Sequence, residues 1–238
     1  MLRVYCDFDG TIVREDVGNR LFRTFAPDNA EKIVRRYLDG AINARECLTL
    51  ECEAVPRMDR STFDRFVGGF EVDPTFPAFV AWCRSKEMAM MVLSDGLDAY
   101  VGPILARAGL SDLPFAANRA LFHVTDGVPR VGVVFPYRDE TCDQCGNCKR
   151  NHMLVTSADD DVLVYIGDGI SDRCPVHFAD VVFARKSLIA YCQKENITYH
   201  TFDNFHDVRL RLERLRSEKR LHQRREAAVA RRAVFMQG

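Results

Sequence analysis

The sequence predicts an α/β fold: a doubly wound parallel sheet core with a helical cap subdomain inserted after its first strand. Three observations predict it. Residues 2–8, 88–93 and 162–166 are short apolar runs, the character of strands buried on both faces of a parallel sheet. Each ends in a polar, glycine-containing turn: Asp9-Gly10-Thr11, Ser94-Asp95-Gly96 and Gly167-Asp168-Gly169. Each is followed by a segment of helical character, and strands alternating with helices make α/β sheets. Ligands of such sheets bind beyond the carboxyl ends of the strands, so the three turns are expected to converge on one site.

Taken in order, the first strand leads into segments 19–26, 31–38 and 44–54, all with apolar residues at helical spacing and no strand pattern. These define the cap, expected over 15–74, with the core over 1–14 and 75–206. Residues 115–135 alternate instead, around Thr125-Asp126-Gly127, as a hairpin does. From residue 205 onward one long Arg-rich amphipathic helix is expected, with Val208, Leu212 and Leu215 facing the domain. Arg220, Arg224, Arg225, Arg231 and Arg232 make the end of this 207–238 segment basic. It reads as a solvated helix fraying into a tail, with contact to a partner or nucleic acid as the alternative.

A chain of 238 residues and 27.1 kDa has room for one core plus a cap. Thirty-three basic against thirty-four acidic residues leave a formal charge of -1, no basis for a nucleic-acid or membrane-surface role. Any anion site must be local. Nine cysteines, an odd number, read as reduced thiols rather than a disulfide framework. With no leader pattern at the start and no apolar run of membrane-spanning length, the expected location is the cytoplasm.

In Asp7-Phe8-Asp9-Gly10-Thr11, residues two apart on an extended chain share a face, so Asp7 and Asp9 can both point into a site. Two carboxylates so close need a cation or hydrogen bonds, or one pKa rises. Gly10 permits a sharp turn, and Thr11 can offer its hydroxyl and N–H to an anion. The plainer alternative is a strand-to-turn junction in which Asp caps backbone amides. Ser94 can donate to a phosphate oxygen where Gly96 allows close backbone approach, although alone it would more often be a helix cap. Asp168 and Asp172 add two carboxylates four residues apart.

Together these motifs resemble those of the haloacid dehalogenase superfamily of phosphotransferases. Its DxDGT motif matches Asp7 to Thr11, its second motif Ser94, and its GDxxxD motif Gly167 to Asp172, while Lys149, just before a helical segment, is the candidate for its lysine. The resemblance implies a Rossmann-like core in which Asp7 is the nucleophile and Asp9 the general acid and later base. Thr11, Ser94, Asp95, Gly96 and Lys149 would bind the phosphoryl group. Asp7, Asp168 and the backbone carbonyl of Asp9 would hold Mg²⁺, and Asp172 would support that shell or orient Lys149. The implied activity is hydrolysis of a small phosphorylated metabolite through an aspartyl phosphate.

A helical cap after the first motif resembles the subclass that includes phosphoserine phosphatases. The run Thr141-Cys142-Asp143-Gln144-Cys145-Gly146-Asn147-Cys148-Lys149 is most similar to that of the 2-hydroxy-3-keto-5-methylthiopentenyl-1-phosphate phosphatases of methionine salvage, and less so to phosphoethanolamine/phosphocholine phosphatases. Glu15, Asp16, Asn19 and Arg23 are substrate candidates by their nearness to the first motif. Cys142, Cys145 and Cys148 either bind zinc or iron, with a fourth ligand from elsewhere, or form a turn of reduced thiols that positions Lys149. The rival functions are transfer of the phosphoryl group to another alcohol and a non-catalytic phosphate-binding module.

Overall fold

The computed structural model describes residues 1–140 and 142–236. In chain order its elements are β1 (Leu2–Asp7), α1 (Val17–Phe25), α2 (Pro27–Leu38), α3 (Ala44–Ala54), α4 (Arg60–Val67), α5 (Phe76–Ser85) and β2 (Ala89–Leu97). There follow α6 (Asp98–Arg107), β3 (Phe115–Thr125), β4 (Val128–Val134), α7 (Lys149–Thr156), β5 (Val162–Gly167) and β6 (Val181–Ala184). The chain ends with α8 (Ser187–Lys194), β7 (His200–Thr201), α9 (Phe205–Ser217) and α10 (Arg225–Phe235).

Two units divide these elements. The first comprises Met1–Ile12, Val72–Leu93 and Lys149–Gly238, the second Val13–Glu71 and Ser94–Cys148. In the first unit the strands pair in parallel in the order β2-β1-β5-β6-β7. The central strands carry Val4, Cys6, Leu163, Val164, Tyr165 and Ile166, all fully buried, as expected where helices cover both faces. Register places Asp7, the last residue of β1, opposite Leu93 of β2, and Cys6 opposite Ile166 of β5. The carboxyl ends of β1 and β5 therefore meet at one level, which β2 passes at Leu93.

The C-terminal segment does not fray. It breaks after Ser217 and returns as α10, held by Asp180. That carboxylate accepts from Leu163 N, from Arg224 N at 2.9 Å and from Arg231 Nη1 at 3.1 Å, and Gln223 Nε2 adds a bond to Asp161 O at 3.0 Å. A fully buried carboxylate needs a cation, and Arg231 supplies it. Two of the arginines expected in a solvated face, Arg224 and Arg231, are thereby half-buried or buried.

In the second unit β3 and β4 form the expected hairpin, closed by Asp126 and Gly127 at φ 51° and 75°, as a two-residue turn of this hand requires. Met58 N donates to Pro129 O, and Arg130 Nη1 to Val55 O, which ties the hairpin to α3 and the segment after it. Segment 94–148 thus groups with 13–71, whereas the sequence suggested a cap over 15–74 alone. Three of the helices there, α1, α3 and α4, begin on side-chain caps: Asp16 accepts from Asn19 N, Asn43 forms a capping box with Glu46, and Asp59 accepts from Thr62 N. Helix α4 has no counterpart in the sequence reading, although Asp59 is its capping signal.

Candidate active site

Three acidic side chains of the first unit converge. Asp7, Asp168 and Asp172 are buried, and each offers a carboxylate oxygen such that all three lie within 4.8 Å of one another. Asp7 ends β1, Asp168 follows β5, and Asp172 closes the short turn after it. Lys149, at the start of α7, reaches into this group with its side chain only 2 % exposed. Its ammonium donates to Asp7 Oδ1 at 2.5 Å, Asp172 Oδ1 at 2.8 Å and Ser171 Oγ at 2.9 Å. An ammonium has three protons, and here three acceptors receive them.

Asp172 spends both oxygens on fixing its neighbours. Oδ2 accepts from Asp168 N at 2.8 Å and Gly169 N at 3.0 Å, while Oδ1 also accepts from Tyr165 OH at 2.6 Å. Four donors on one carboxylate leave it as the orienter of Lys149 and of the Asp168 turn. Gly167 is part of the same construction, since an added Cβ would meet the Asp172 carboxylate at 2.5 Å.

The Asp9-Gly10-Thr11 turn is pinned from β6. Gly10 takes φ +77° and its missing Cβ leaves room for the Asp168 carboxylate. Arg185 donates from Nε to Gly10 O at 3.0 Å and from Nη2 to Thr11 O at 2.8 Å. Lys186 Nζ lies 2.8 Å from Asp168 Oδ2 and 3.2 Å from Gly10 O, on a backbone at φ +47° that L side chains rarely adopt. Thr11 Oγ1 donates to Asp168 Oδ1 at 3.4 Å. Asp9 is half-buried at the head of this turn and contributes no carboxylate to the converging group.

Burial pushes the Asp7 carboxyl well above the usual carboxylate range; the neighbouring Asp172 adds to this and Lys149 only partly offsets it. Three carboxylates face two ammonium groups, and all the converging acidic donors are hard oxygens. Such a set suits a small divalent ion such as Mg²⁺, which would also return Asp7 to its charged form.

Other expected positions are placed as follows. Ser94 is fully buried and follows Leu93, the β2 partner of Asp7; β2 continues through Asp95 and Gly96 to Leu97 where a turn was expected. Asp95 directs its carboxylate to Asn147 N at 2.8 Å. Asp16 is spent on capping α1 through Asn19 N at 2.8 Å, and Glu15 and Arg23 are exposed. Cys142 and Cys145 are half-buried and Cys148 is buried, all outside any disulfide among the described residues. Among the described residues they form no group of three metal-donor atoms, so the zinc or iron expectation is withdrawn. Thr141 lies outside the described residues. The sequence reading missed Lys186, Tyr165, Ser171, Asn118 and Asn147. The carboxyl end of β6 was the signal that could have found Lys186.

A model of the haloacid dehalogenase-like hydrolases matches residues 4–174. The chain belongs to this family. It is 30% identical over 220 residues to the 2-hydroxy-3-keto-5-methylthiopentenyl-1-phosphate phosphatase of Brevibacillus brevis, covering 91% of this chain and 97% of that one. The Bacillus mycoides enzyme of the same name is 31% identical over 218 residues, covering 90% and 97%. Among solved structures, a phospho-aspartyl intermediate analogue of phosphoserine phosphatase superposes with a TM-score of 0.65 at 17% identity, covering 88% of this chain and 97% of that one. Phosphoserine phosphatase from T. onnurineus gives 0.63 at 19%, covering 86% and 90%. These two show a shared α/β fold. The chain is a phosphatase, a phosphoric monoester hydrolase, and phosphatases of this family use Mg²⁺ in general. Among the described residues no helix is long and apolar enough to cross a membrane.

Proposed function

We propose that the chain removes phosphate from 2-hydroxy-3-keto-5-methylthiopentenyl-1-phosphate or a close enol-phosphate analogue, with Asp7 as nucleophile. The observation that carries this reading is the buried Lys149 ammonium shared between Asp7 and Asp172 beside Asp168. A lysine held there by Asp172 neutralises charge on a phosphoryl group arriving at Asp7, and does so without reorganising when the reaction occurs. Uncatalysed phosphate monoester hydrolysis is among the slowest of reactions, needing accelerations of up to ~10²¹, and splitting the transfer into two steps lowers each barrier.

In this scheme Asp7 attacks phosphorus and carries the phosphoryl group as an aspartyl phosphate. Asp9 protonates the leaving oxygen, then takes a proton from the water that hydrolyses the intermediate. Thr11, Ser94, Gly96 and Lys149 hold the phosphoryl oxygens. Mg²⁺, held by Asp7, Asp168 and the Asp9 carbonyl, would supply charge neutralisation and orientation of the phosphate. The substrate assignment rests on the two relatives that match nearly the whole chain.

The test is a panel of sugar-like enol phosphates, phosphoserine, phosphoethanolamine and phosphocholine, assayed with Mg²⁺, then EDTA, then Mg²⁺ restored. Highest kcat/KM on the enol phosphate, lost in EDTA and regained, is expected. Preference for phosphoserine or a phosphorylated amino alcohol overturns the substrate, and silence across the panel overturns the enzyme in favour of a phosphate-binding module. Glycerol added as acceptor should not raise turnover; if it does, the chain is a phosphotransferase.

A further inference from the structure

The second unit holds two asparagines that are fully buried, Asn118 on β3 and Asn147 in the loop before α7. Both are committed to the Ser94-Asp95-Gly96 stretch. Asn147 Nδ2 donates to Ser94 O at 2.8 Å and to Ala116 O at 3.0 Å, and Asn147 N donates to Asp95 Oδ1 at 2.8 Å. Asn118 Nδ2 donates to Asp95 O at 2.6 Å. The carbonyls of Ser94 and Asp95 are thus gripped by side-chain amides, and the Asp95 carboxylate is turned inward to meet a third donor. A carboxylate is a poor ligand for a phosphate dianion. Its orientation here makes Asp95 part of the brace.

We propose that Asn147 is a positioning residue that holds the Ser94-Asp95-Gly96 stretch in the form in which it binds phosphate; this rests on the phosphatase reading above. Asparagine is needed for this. Both amide protons point at carbonyl oxygens, so aspartate would set oxygen against oxygen, and a shorter side chain would release both carbonyls.

Stability alone does not explain the arrangement. Among the described residues Asn118 Oδ1 is buried without a hydrogen-bond partner, while Nδ2 is committed to Asp95 O. Gly146 lets the loop close over it: an added Cβ would meet Asn118 Nδ2 and the Phe135 ring at 2.9 Å each. The molecule accepts a frustrated buried amide where that amide holds Asp95 O.

The experiment measures the dissociation constant of inorganic phosphate by calorimetry, with Mg²⁺ present, alongside kcat and KM on p-nitrophenyl phosphate. Asn147→Ser is expected to raise the phosphate dissociation constant and KM by about tenfold each, with a smaller fall in kcat. A purely structural role lowers the active fraction, so kcat falls while KM and the phosphate constant stay put, and that outcome overturns the proposal. Should Asn147→Ser fail to fold, Asp95→Ala removes the acceptor for Asn147 N and is expected to shift the same two constants; unmoved constants there overturn it equally. Wild-type protein that binds phosphate but turns over no ester defeats the phosphatase reading and leaves the brace to be judged on binding. Wild-type protein that binds no phosphate defeats both.

Discussion

Asp7 and Glu51 are both buried carboxylates pushed up by burial, one at the end of β1 in the first unit and one on α3 in the second, and they differ in their neighbours. Asp7 is met by Lys149 at 2.5 Å, with Lys186 on the neighbouring Asp168. Glu51, only 8 % exposed, has no cation: burial, then the charge of Asp16, push it up to about 8, and a hydrogen bond from Cys47 offsets this only in part. Burial and Glu51 in turn push the Cys47 thiol up to about 12, so it stays an S–H donor. Burial favours the neutral form of both; a cation buried beside the carboxylate opposes that rise, and where no such cation is found among the described residues the proton itself neutralises the group. Asp180 is of the first kind for stability alone, paired with Arg231.

The largest way to break this contrast is Asp7→Asn, which keeps size and removes the nucleophile. Turnover should fall on the order of 10⁴-fold or more with the fold intact by circular dichroism. Full activity in that variant ends the covalent scheme. Next is Lys149→Ala, expected to lower kcat/KM about 10²- to 10³-fold, because the remaining carboxylates repel the phosphoryl group.

Arg231→Ala should leave kinetics unchanged and destabilise by about 3 kcal/mol in urea unfolding, since Asp180 would be left as a buried charge. An unchanged midpoint would show that α10 is not held by this pair.

The smallest effect sharpens the other side of the contrast. Glu51 has a folded pKa raised from 4.5 to about 8, so its contribution to stability is fully present below about pH 4.5 and is lost as pH rises through about 8. Glu51→Gln should remove that pH dependence and stabilise the protein at pH 8 relative to wild type. Identical stability–pH curves for the two proteins would mean that Glu51 is ionised in the fold.

Legibility followed locality. Asp7, Gly10 and Thr11 could be read because strand alternation and a glycine turn act over five consecutive residues, and the hairpin because Asp126-Gly127 demands positive φ. Strands β1, β2 and β5 and helices α1, α2 and α3 follow from local pattern in the same way, whereas β6 and β7 were not read. What pattern could not supply was the partner of each polar group. The sequence could not show that Asp95 accepts from Asn147 N, that Asp16 caps α1, or that Arg224 and Arg231 meet Asp180.

By itself the sequence determined the α/β core and the acidic turn at the end of the first strand, since each depends on residue type and short-range geometry; Lys149, the first residue of α7, was singled out by the family resemblance. Only the tertiary structure decided that Lys149 lies between Asp7 and Asp172, that Lys186 and Arg185 come over from β6, and that segment 94–148 packs with 13–71. The reason is physical: a buried charge or amide is satisfied by whatever the fold brings within about 3 Å, and that neighbour can be more than a hundred residues away in the chain.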